Sequence, residues 1–326
     1  MNILVTGGAG YVGSVCAGQL IKQRHQVVVY DNLSAGHRAA VPAGAMFVKG
    51  EIADSGRLRS AFKKFKIDAI MHFAAKALVD ESIRNPAIFY QNNVSATLTM
   101  LDVALENKIK NFIFSSSAAV YGEPQVVPIP EDHPKAPVNP YGETKLVIEG
   151  VLGWYARAYG LQFAAMRYFN AAGATKLLGE DHRPETHLLP RLLDAALDPS
   201  KKFFLYGEDY PTPDGTCVRD FVHVLDIAQA HILALRRLDK IKCAVYNVGL
   251  GEGYSIRQAV QAVEAVTQRK VNVQAAARRP GDPARLVASP TKLSGELGWK
   301  PAHSDLANIV RSAWRWRQQH PAGYGK

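Results

Sequence analysis

The sequence predicts an α/β protein built on a doubly wound parallel sheet, with a smaller domain at its C-terminal end. Three observations carry that expectation. Short apolar runs alternate with helical stretches through the first half of the chain, as parallel strands do when helices cover both faces of their sheet. The first run empties into a glycine-rich turn, and the second ends in an aspartate. After about Asn170 the alternation gives way to longer loops rich in proline and glycine.

Each element follows from local pattern. Ile3–Val5 is a short apolar strand, and Tyr11–Gln23 reads as the helix after the glycine turn. Gln26–Asp31 is a β-branched second strand and Ala45–Val48 a third. Asp54–Phe65 is amphipathic, Ala69–Phe73 is the fourth strand, and Pro86–Asn107 is a long helical stretch. Asn111–Ser115 is the fifth strand, Tyr141–Tyr159 a helix, and Phe163–Tyr168 the sixth strand. Beyond Asn170, Phe221–Leu238 reads as a helix and Ala244–Val248 as a strand returning to the main sheet. The domain division expected is 1–170, with returns at about 221–249, and 171–326.

Composition narrows the function. The 326 residues are 47% apolar and 21% charged, ordinary for a globular protein and unlike a disordered one. The apolar runs are far too short to span a bilayer, so no membrane role is expected. The chain opens directly on a strand, without the pattern of a secretory signal. Cys16, Cys217 and Cys243 are odd in number and widely spaced. They offer neither a disulfide framework nor a zinc cluster, and they fit a reducing cytoplasm. The net charge of +10 comes without a long basic block. No basic, aromatic-studded face speaks for nucleic acid, and an anionic small ligand accounts for the charge as well.

Thr6-Gly7-Gly8-Ala9-Gly10-Tyr11-Val12-Gly13 has G-x-x-G-x-x-G spacing between a strand and a helix. Glycine allows the tight turn and close approach of backbone to a pyrophosphate, and the helix N-terminus offers N–H groups to the anion. In a strand–turn–helix unit that leads on to Asp31, this is a Rossmann-like dinucleotide site. The Asp31 carboxylate accepts hydrogen bonds from ribose hydroxyls and repels a 2′-phosphate, which favours NAD over NADP.

Ser115-Ser116-Ser117 ends the fifth strand, and Tyr141-Gly-Glu-Thr-Lys145 opens the helix after Pro140. Tyr at i and Lys at i+4 share a helix face. An ammonium there favours the phenolate and is expected to lower the Tyr141 pKa. A serine hydroxyl at the strand end can hold the substrate oxygen that loses its proton.

These motifs, with YDNLS, IMHFAA, NNVSAT, NFIFSSSAAVYG, NPYGETK, RYFNAAGA, GEDHRPETHLLP, YGEDYPTPDGTCVRDFVHVLD and RRPGDPARLVAS, run nearly end to end. They resemble the extended short-chain dehydrogenase/reductase family, and within it the UDP-hexose 4-epimerase branch. The resemblance implies tightly held NAD, a UDP-sugar substrate, interconversion of UDP-glucose and UDP-galactose, a C-terminal substrate-binding domain and often a homodimer. It implies Ser117, Tyr141 and Lys145 as the catalytic set. For NAD it implies Gly7, Gly10, Tyr11, Val12, Asp31, Asn32, Glu51, Ile52, Phe73, Ala74, Asn93, Ser115, Tyr141, Lys145 and Tyr168. For the UDP-sugar it implies Ser117, Asn170, His187, Leu188, Phe204, Tyr206, Arg219, Arg279 and Asp282, with Leu286 as the size gate beside the sugar 2-substituent. Arg219 and Arg279 suit bidentate contact with a diphosphate.

The chain departs from the family pattern at Glu51, where many members have Asp. It departs again at Ala77, where some epimerases carry a phosphate-binding Lys; here Lys76 stands one residue earlier. The related dehydratases carry an Asp-Glu pair after the serine run, and this chain has Ala118-Ala119. A UDP-N-acetylhexosamine or UDP-pentose substrate uses the same chemistry at C4.

Overall fold

The structure is a computed structural model that describes residues 1–279 and 281–325. The apolar runs of the first half become β1 (Asn2–Thr6), β2 (Gln26–Asp31), β3 (Met46–Lys49), β4 (Ala69–His72), β5 (Asn111–Ser117) and β6 (Gln162–Tyr168). Between them lie α1 (Tyr11–Lys22), α2 (Ser55–Phe65), α3 (Val79–Arg84), α4 (Pro86–Phe89), α5 (Ala96–Glu106) and α6 (Pro140–Tyr159). The second half adds β7 (Asn170–Ala172), α7 (Leu188–Leu197), β8 (Phe203–Tyr206), β9 (Val218–Arg219), β10 (Phe221–His223) and α8 (Val224–Ile241). It continues with β11 (Cys243–Val248), β12 (Tyr254–Ser255), α9 (Ile256–Thr267), β13 (Val273–Ala276), β14 (Arg285–Leu286), α10 (Thr291–Leu297) and α11 (Leu306–Gln319).

The main sheet is seven-stranded and parallel, in the order β11-β6-β5-β4-β1-β2-β3. The chain winds outward from β1 in one direction, then crosses back to β4 and winds in the other. Strand ends diverge at that switch, which opens a crevice at the C-terminal ends of β1 and β4. Side chains alternate between faces along each strand. Ile3 and Val5 pack with Leu20, Val29, Ile227 and Leu235 on one face. Leu4 packs with Leu58, Phe62, Met100, Phe112 and Ile148 on the other. Burial on both faces is why these strands read as continuous apolar runs.

A third core, including Leu192, Phe203, Phe221, Val263, Ile309 and Trp314, forms from elements of the second half. Its sheets are small: β7 with β10, β9 between β12 and β14, and β8 with β13.

Two expected elements differ. The stretch 86–107 is not one helix: α4 and α5 flank a π-helical turn, Tyr90–Ser95. The stretch 221–238 opens as strand β10, because Phe221–His223 pairs with Asn170–Ala172. The His223 ring then accepts the Leu225 N–H at 3.1 Å and starts α8.

Candidate active site

Gly7 leaves β1 at φ +68°, a left-handed conformation that favours glycine. A Cβ there would lie 2.5 Å from the Ala74 nitrogen, and one on Gly13 would lie 2.3 Å from the Gly7 carbonyl oxygen. The turn is therefore closed against the end of β4 on one side and the first turn of α1 on the other. Gly10 starts α1 with no side chain capping it. Tyr11 anchors the helix start by donating its hydroxyl to the Gly173 carbonyl at 2.5 Å. Val12 and the following residues then stand at the positive end of a 12-residue helix.

At the tip of β2, the buried Asp31 carboxylate accepts the N–H groups of Ala9 (3.0 Å) and Leu33 (2.8 Å). Burial raises its pKa, opposed by those two N–H groups. Asn32 donates to both Glu51 oxygens at 2.9 and 3.0 Å. The longer arm of Glu51 thus folds onto Asn32, with Ile52 buried beside it.

Ser117 ends β5 and pairs in register with Tyr168 of β6. Asn139 caps α6 by accepting the Gly142 N–H at 2.8 Å, with Pro140 as its first residue. Tyr141 is thereby fixed in the first turn of α6, over the end of β5. Gly142 permits this approach, since a Cβ there would lie 2.4 Å from the Ala119 carbonyl oxygen. Lys145 lies one turn on, its Nζ 5.7 Å from the Tyr141 ring centroid and donating to the Ser115 carbonyl at 2.8 Å.

The electrostatics correct the sequence expectation. Burial, not the ammonium, dominates Tyr141 and raises its pKa, while a hydrogen bond with Ser117 works the other way. Burial also brings Lys145 down to about 7, with Glu149 opposing. Helical spacing brings the two groups together, but the desolvation of each outweighs their attraction.

One cavity of about 670 Å³ unites these parts. Gly7, Gly10, Tyr11, Val12, Asp31, Asn32, Glu51, Ile52, Phe73, Ala74, Ser117, Tyr141 and Tyr168 line it. So do Asn170, His187, Leu188, Phe204, Tyr206, Arg219, Arg279, Asp282 and Leu286. Three expected residues stand behind the wall instead. Asn93, Ser115 and Lys145 are 3%, 2% and 4% exposed. Asn93 accepts the Lys76 N–H at 2.8 Å and donates to the Lys76 carbonyl at 3.0 Å, holding the strand exit after β4. The π turn carries Asn93, a common location for such irregularities. Ser115 shares a 2.7 Å hydrogen bond with the Tyr168 hydroxyl. Lys76 and Ala77 both line the cavity.

On the far wall, Arg219 donates to Asp282 at 2.6 Å and to the carbonyls of Pro283 and Val218 at 2.8 and 3.0 Å. Among the described residues these contacts use three of its five N–H groups. The Arg279 guanidinium lies 3.9 Å from the Tyr206 ring centroid. Leu286 pairs in register with Arg219. Asn170 opens β7 with its Oδ1 buried and, among the described residues, without a hydrogen-bond partner, so a polar acceptor is held ready for a ligand. His187 precedes α7. Burial alone would lower its pKa, but Glu180 and Glu185 outweigh that and hold it up to about 9.

The sequence reading missed Thr144, which accepts from Asn93 at 3.1 Å, and Glu180, His182 and Arg183, which line the cavity. Their signal was the density of charged and imidazole side chains in 180–187.

The profile of the NAD dependent epimerase/dehydratase family matches residues 3–249. The chain is 46% identical over 327 residues to the UDP-glucose 4-epimerase of Halalkalibacterium halodurans, covering 99% of this chain and 98% of that one. A crystal structure of a UDP-glucose 4-epimerase superposes with a TM-score of 0.97 at 47% identity, over the whole of both chains. The Brucella ovis UDP-glucose 4-epimerase in complex with NAD gives 0.93 at 46% identity, over 100% and 99% of the two chains. With the glycine turn, Asp31 and the Tyr141–Lys145 pair around one crevice, the chain belongs to the NAD dependent epimerase/dehydratase family.

Proposed function

We propose that this protein interconverts UDP-glucose and UDP-galactose, with NAD as a resident cofactor. The observation that carries the reading is the Ser117–Tyr141 pair at the end of β5. It faces the same cavity as the glycine turn and the two arginines. The residues fit NAD: the Gly7–Gly13 turn leaves no room for a Cβ, which lets backbone approach a pyrophosphate, and Asp31 stands at the end of β2 for the ribose hydroxyls. Gly7, Gly10, Tyr11, Val12, Asp31, Asn32, Ile52, Phe73, Ala74, Tyr141 and Tyr168 would hold it, with Asn93, Ser115 and Lys145 setting the walls. Bound there, NAD would supply the hydride chemistry at sugar C4.

The protein's part is acid–base and positional. As the phenolate, which the Lys145 ammonium and the positive nicotinamide of bound NAD would favour against the burial penalty, Tyr141 Oη takes the proton of the sugar 4-OH, while the Ser117 hydroxyl holds that oxygen. Lys145, tied to the Ser115 carbonyl, keeps α6 in register with β5 and places its charge on the Tyr141 side of the helix. Arg219 and Arg279 grip the diphosphate through bidentate contacts. Binding energy is thus concentrated away from the reacting carbon. A loosely held sugar can then turn about its phosphate bonds as the 4-keto form and take the proton back from Tyr141 with C4 inverted.

Leu286 gates the sugar 2-substituent. It is smaller than a tyrosine, so some turnover extends to the N-acetylated pair. The chain works in the cytoplasm as a homodimer. No helix among the described residues is long and apolar enough to cross a membrane. Trp154 and Tyr159 on α6 are 68% and 58% exposed, and Ile83 and Tyr90 lie on adjoining elements. Such an apolar face suits a second copy, and light scattering on the wild type and Trp154→Glu checks it.

The function is tested by incubating purified protein with UDP-glucose, UDP-N-acetylglucosamine and UDP-xylose and identifying epimers by NMR. UDP-galactose should form fastest. Denatured protein should release NAD; NADP as the main species would contradict the role of Asp31.

A further inference from the structure

The segment between β7 and α7 gathers four metal-ligating side chains. The donor atoms of Glu180, His182, Glu185 and His187 all lie within 4.8 Å of one another. Nδ1 of His187 is 3.0 Å from Oε1 of Glu180 and 2.8 Å from Oε1 of Glu185. Nδ1 of His182 is 3.3 Å from the same Glu180 oxygen. A tetrahedral ion with metal–ligand distances of about 2.0–2.1 Å needs its donors roughly 3.3 Å apart; these three pairs stand near that spacing, and the other pairs lie within 4.8 Å.

A second observation points to a ligand. Among the described residues, the Nδ1 atom of His182 is buried and makes no hydrogen bond, although the side chain as a whole is 25% exposed. It faces the Glu180 carboxylate without hydrogen-bond alignment. A buried polar atom in that state calls for a partner, and a cation between nitrogen and oxygen would satisfy both.

The backbone around the cluster is fixed from outside. His37 Nε2 hydrogen-bonds the Asp181 carbonyl at 2.8 Å, and the Asp181 carboxylate accepts the Tyr324 N–H at 2.9 Å. Glu185 also accepts the His187 N–H at 2.8 Å. Glu180, His182 and His187 line the cavity. The His187 imidazolium can offset one of the two carboxylate charges, and a divalent ion in its place would offset both.

We propose that Glu180, His182, Glu185 and His187 form a structural site for a divalent cation of the zinc class. Two imidazoles and two carboxylates suit Zn²⁺, whereas Mg²⁺ and Ca²⁺ prefer oxygen-only shells. Four protein ligands close the site, so the ion fixes a loop and performs no chemistry. What it fixes is the approach of His187 and Leu188 to the cavity at the start of α7.

The test uses tag-free protein and no substrate, so it stands apart from the epimerase reading. Metal content is measured by mass spectrometry as purified, then after chelation and reconstitution with Zn²⁺ alone. Co²⁺ reconstitution is followed by visible absorption. The account expects about one equivalent of zinc per chain, an intense tetrahedral Co²⁺ spectrum, and a lower melting temperature after chelation. His182→Asn and Glu185→Gln should each weaken Zn²⁺ binding by about 10–100-fold or more, and chelation should leave their melting unmoved. A wild type that holds no stoichiometric zinc after reconstitution overturns the proposal and leaves the glutamates as partners of the His187 imidazolium only. Equal zinc in wild type and both variants, or a weak octahedral Co²⁺ spectrum, overturns it as well.

Discussion

Strands β1–β6 and β11 form one ladder buried between helices, whereas the remaining strands are two to four residues long and pair in twos and threes. On the proposed function, the chemistry falls to the first kind of structure. Ser117 ends a seven-residue strand, and Tyr141 opens a 20-residue helix tied to that strand by Lys145. On the proposed function, recognition of the substrate falls to the second, where the Arg219–Asp282 ion pair and the Arg279–Tyr206 stack hold the pieces in place. A proton transfer tolerates little displacement, while a sugar that must turn needs a wall with looser contacts. Substitutions in the two regions should therefore fail differently.

The largest effect is expected at Tyr141. Tyr141→Phe removes only the proton-carrying oxygen, so kcat should fall by about 10²–10⁴-fold while calorimetry shows UDP-sugar binding retained. Gly7→Ala should come next: its φ of +68° and the Ala74 nitrogen 2.5 Å from the new Cβ should cost about 3 kcal/mol or more of stability. NAD should be lost with it, read by chemical denaturation and by nucleotide release. In the recognition region, Arg219→Ala leaves Asp282 without its partner and should raise KM roughly 30-fold or more with a far smaller change in kcat. Steady-state kinetics separates the two; an equal loss in both constants would place Arg219 with the chemistry. Leu286→Tyr should be more selective still. It should suppress N-acetylhexosamine turnover about 10-fold or more and leave the hexose reaction largely intact, compared in parallel by NMR. Equal losses would remove Leu286 as a gate.

A last effect, on stability and not on turnover, is a dependence on pH. Lys145 is lowered from 10.5 to about 7 by burial. Between these values the unfolded chain binds the extra proton, so without nucleotide the stability contribution rises with pH from about 7 to 10.5. The slope is about 1.4 kcal/mol per pH unit at most. Below pH 7 both states are protonated and the full penalty applies. Lys145→Met should flatten that slope in urea titrations between pH 7.5 and 9.5.

The same contrast governs what could be read in advance. The glycine turn, Asp31 and Tyr141–Lys145 act through residue type at short spacing, so they are visible in the chain itself. Burial on both faces wrote β1, β2, β4 and β5 as apolar runs. Strands β9, β12 and β14 are two residues each, too short for any periodicity, and the pairing of Arg219 with Leu286 exists only through the tertiary fold. The break at Tyr90–Ser95 serves Asn93, whose partners Lys76 and Thr144 lie far along the chain. Desolvation of Tyr141 and Lys145 depends on what covers them, which no local pattern encodes. The Glu180–His187 donors were adjacent in sequence, but only the loop's path brings them onto one point.

The central claim is that Tyr141 and the end of β5 invert C4 while the UDP end stays held. UDP-glucose carrying deuterium at C4 tests it most directly, with the product analysed by NMR and mass spectrometry. The expected product is UDP-galactose that keeps the deuterium at C4, formed by the wild type and about 10²–10⁴-fold more slowly by Tyr141→Phe. UDP-galactose that has exchanged the label with solvent, or equal turnover by Tyr141→Phe, would contradict it.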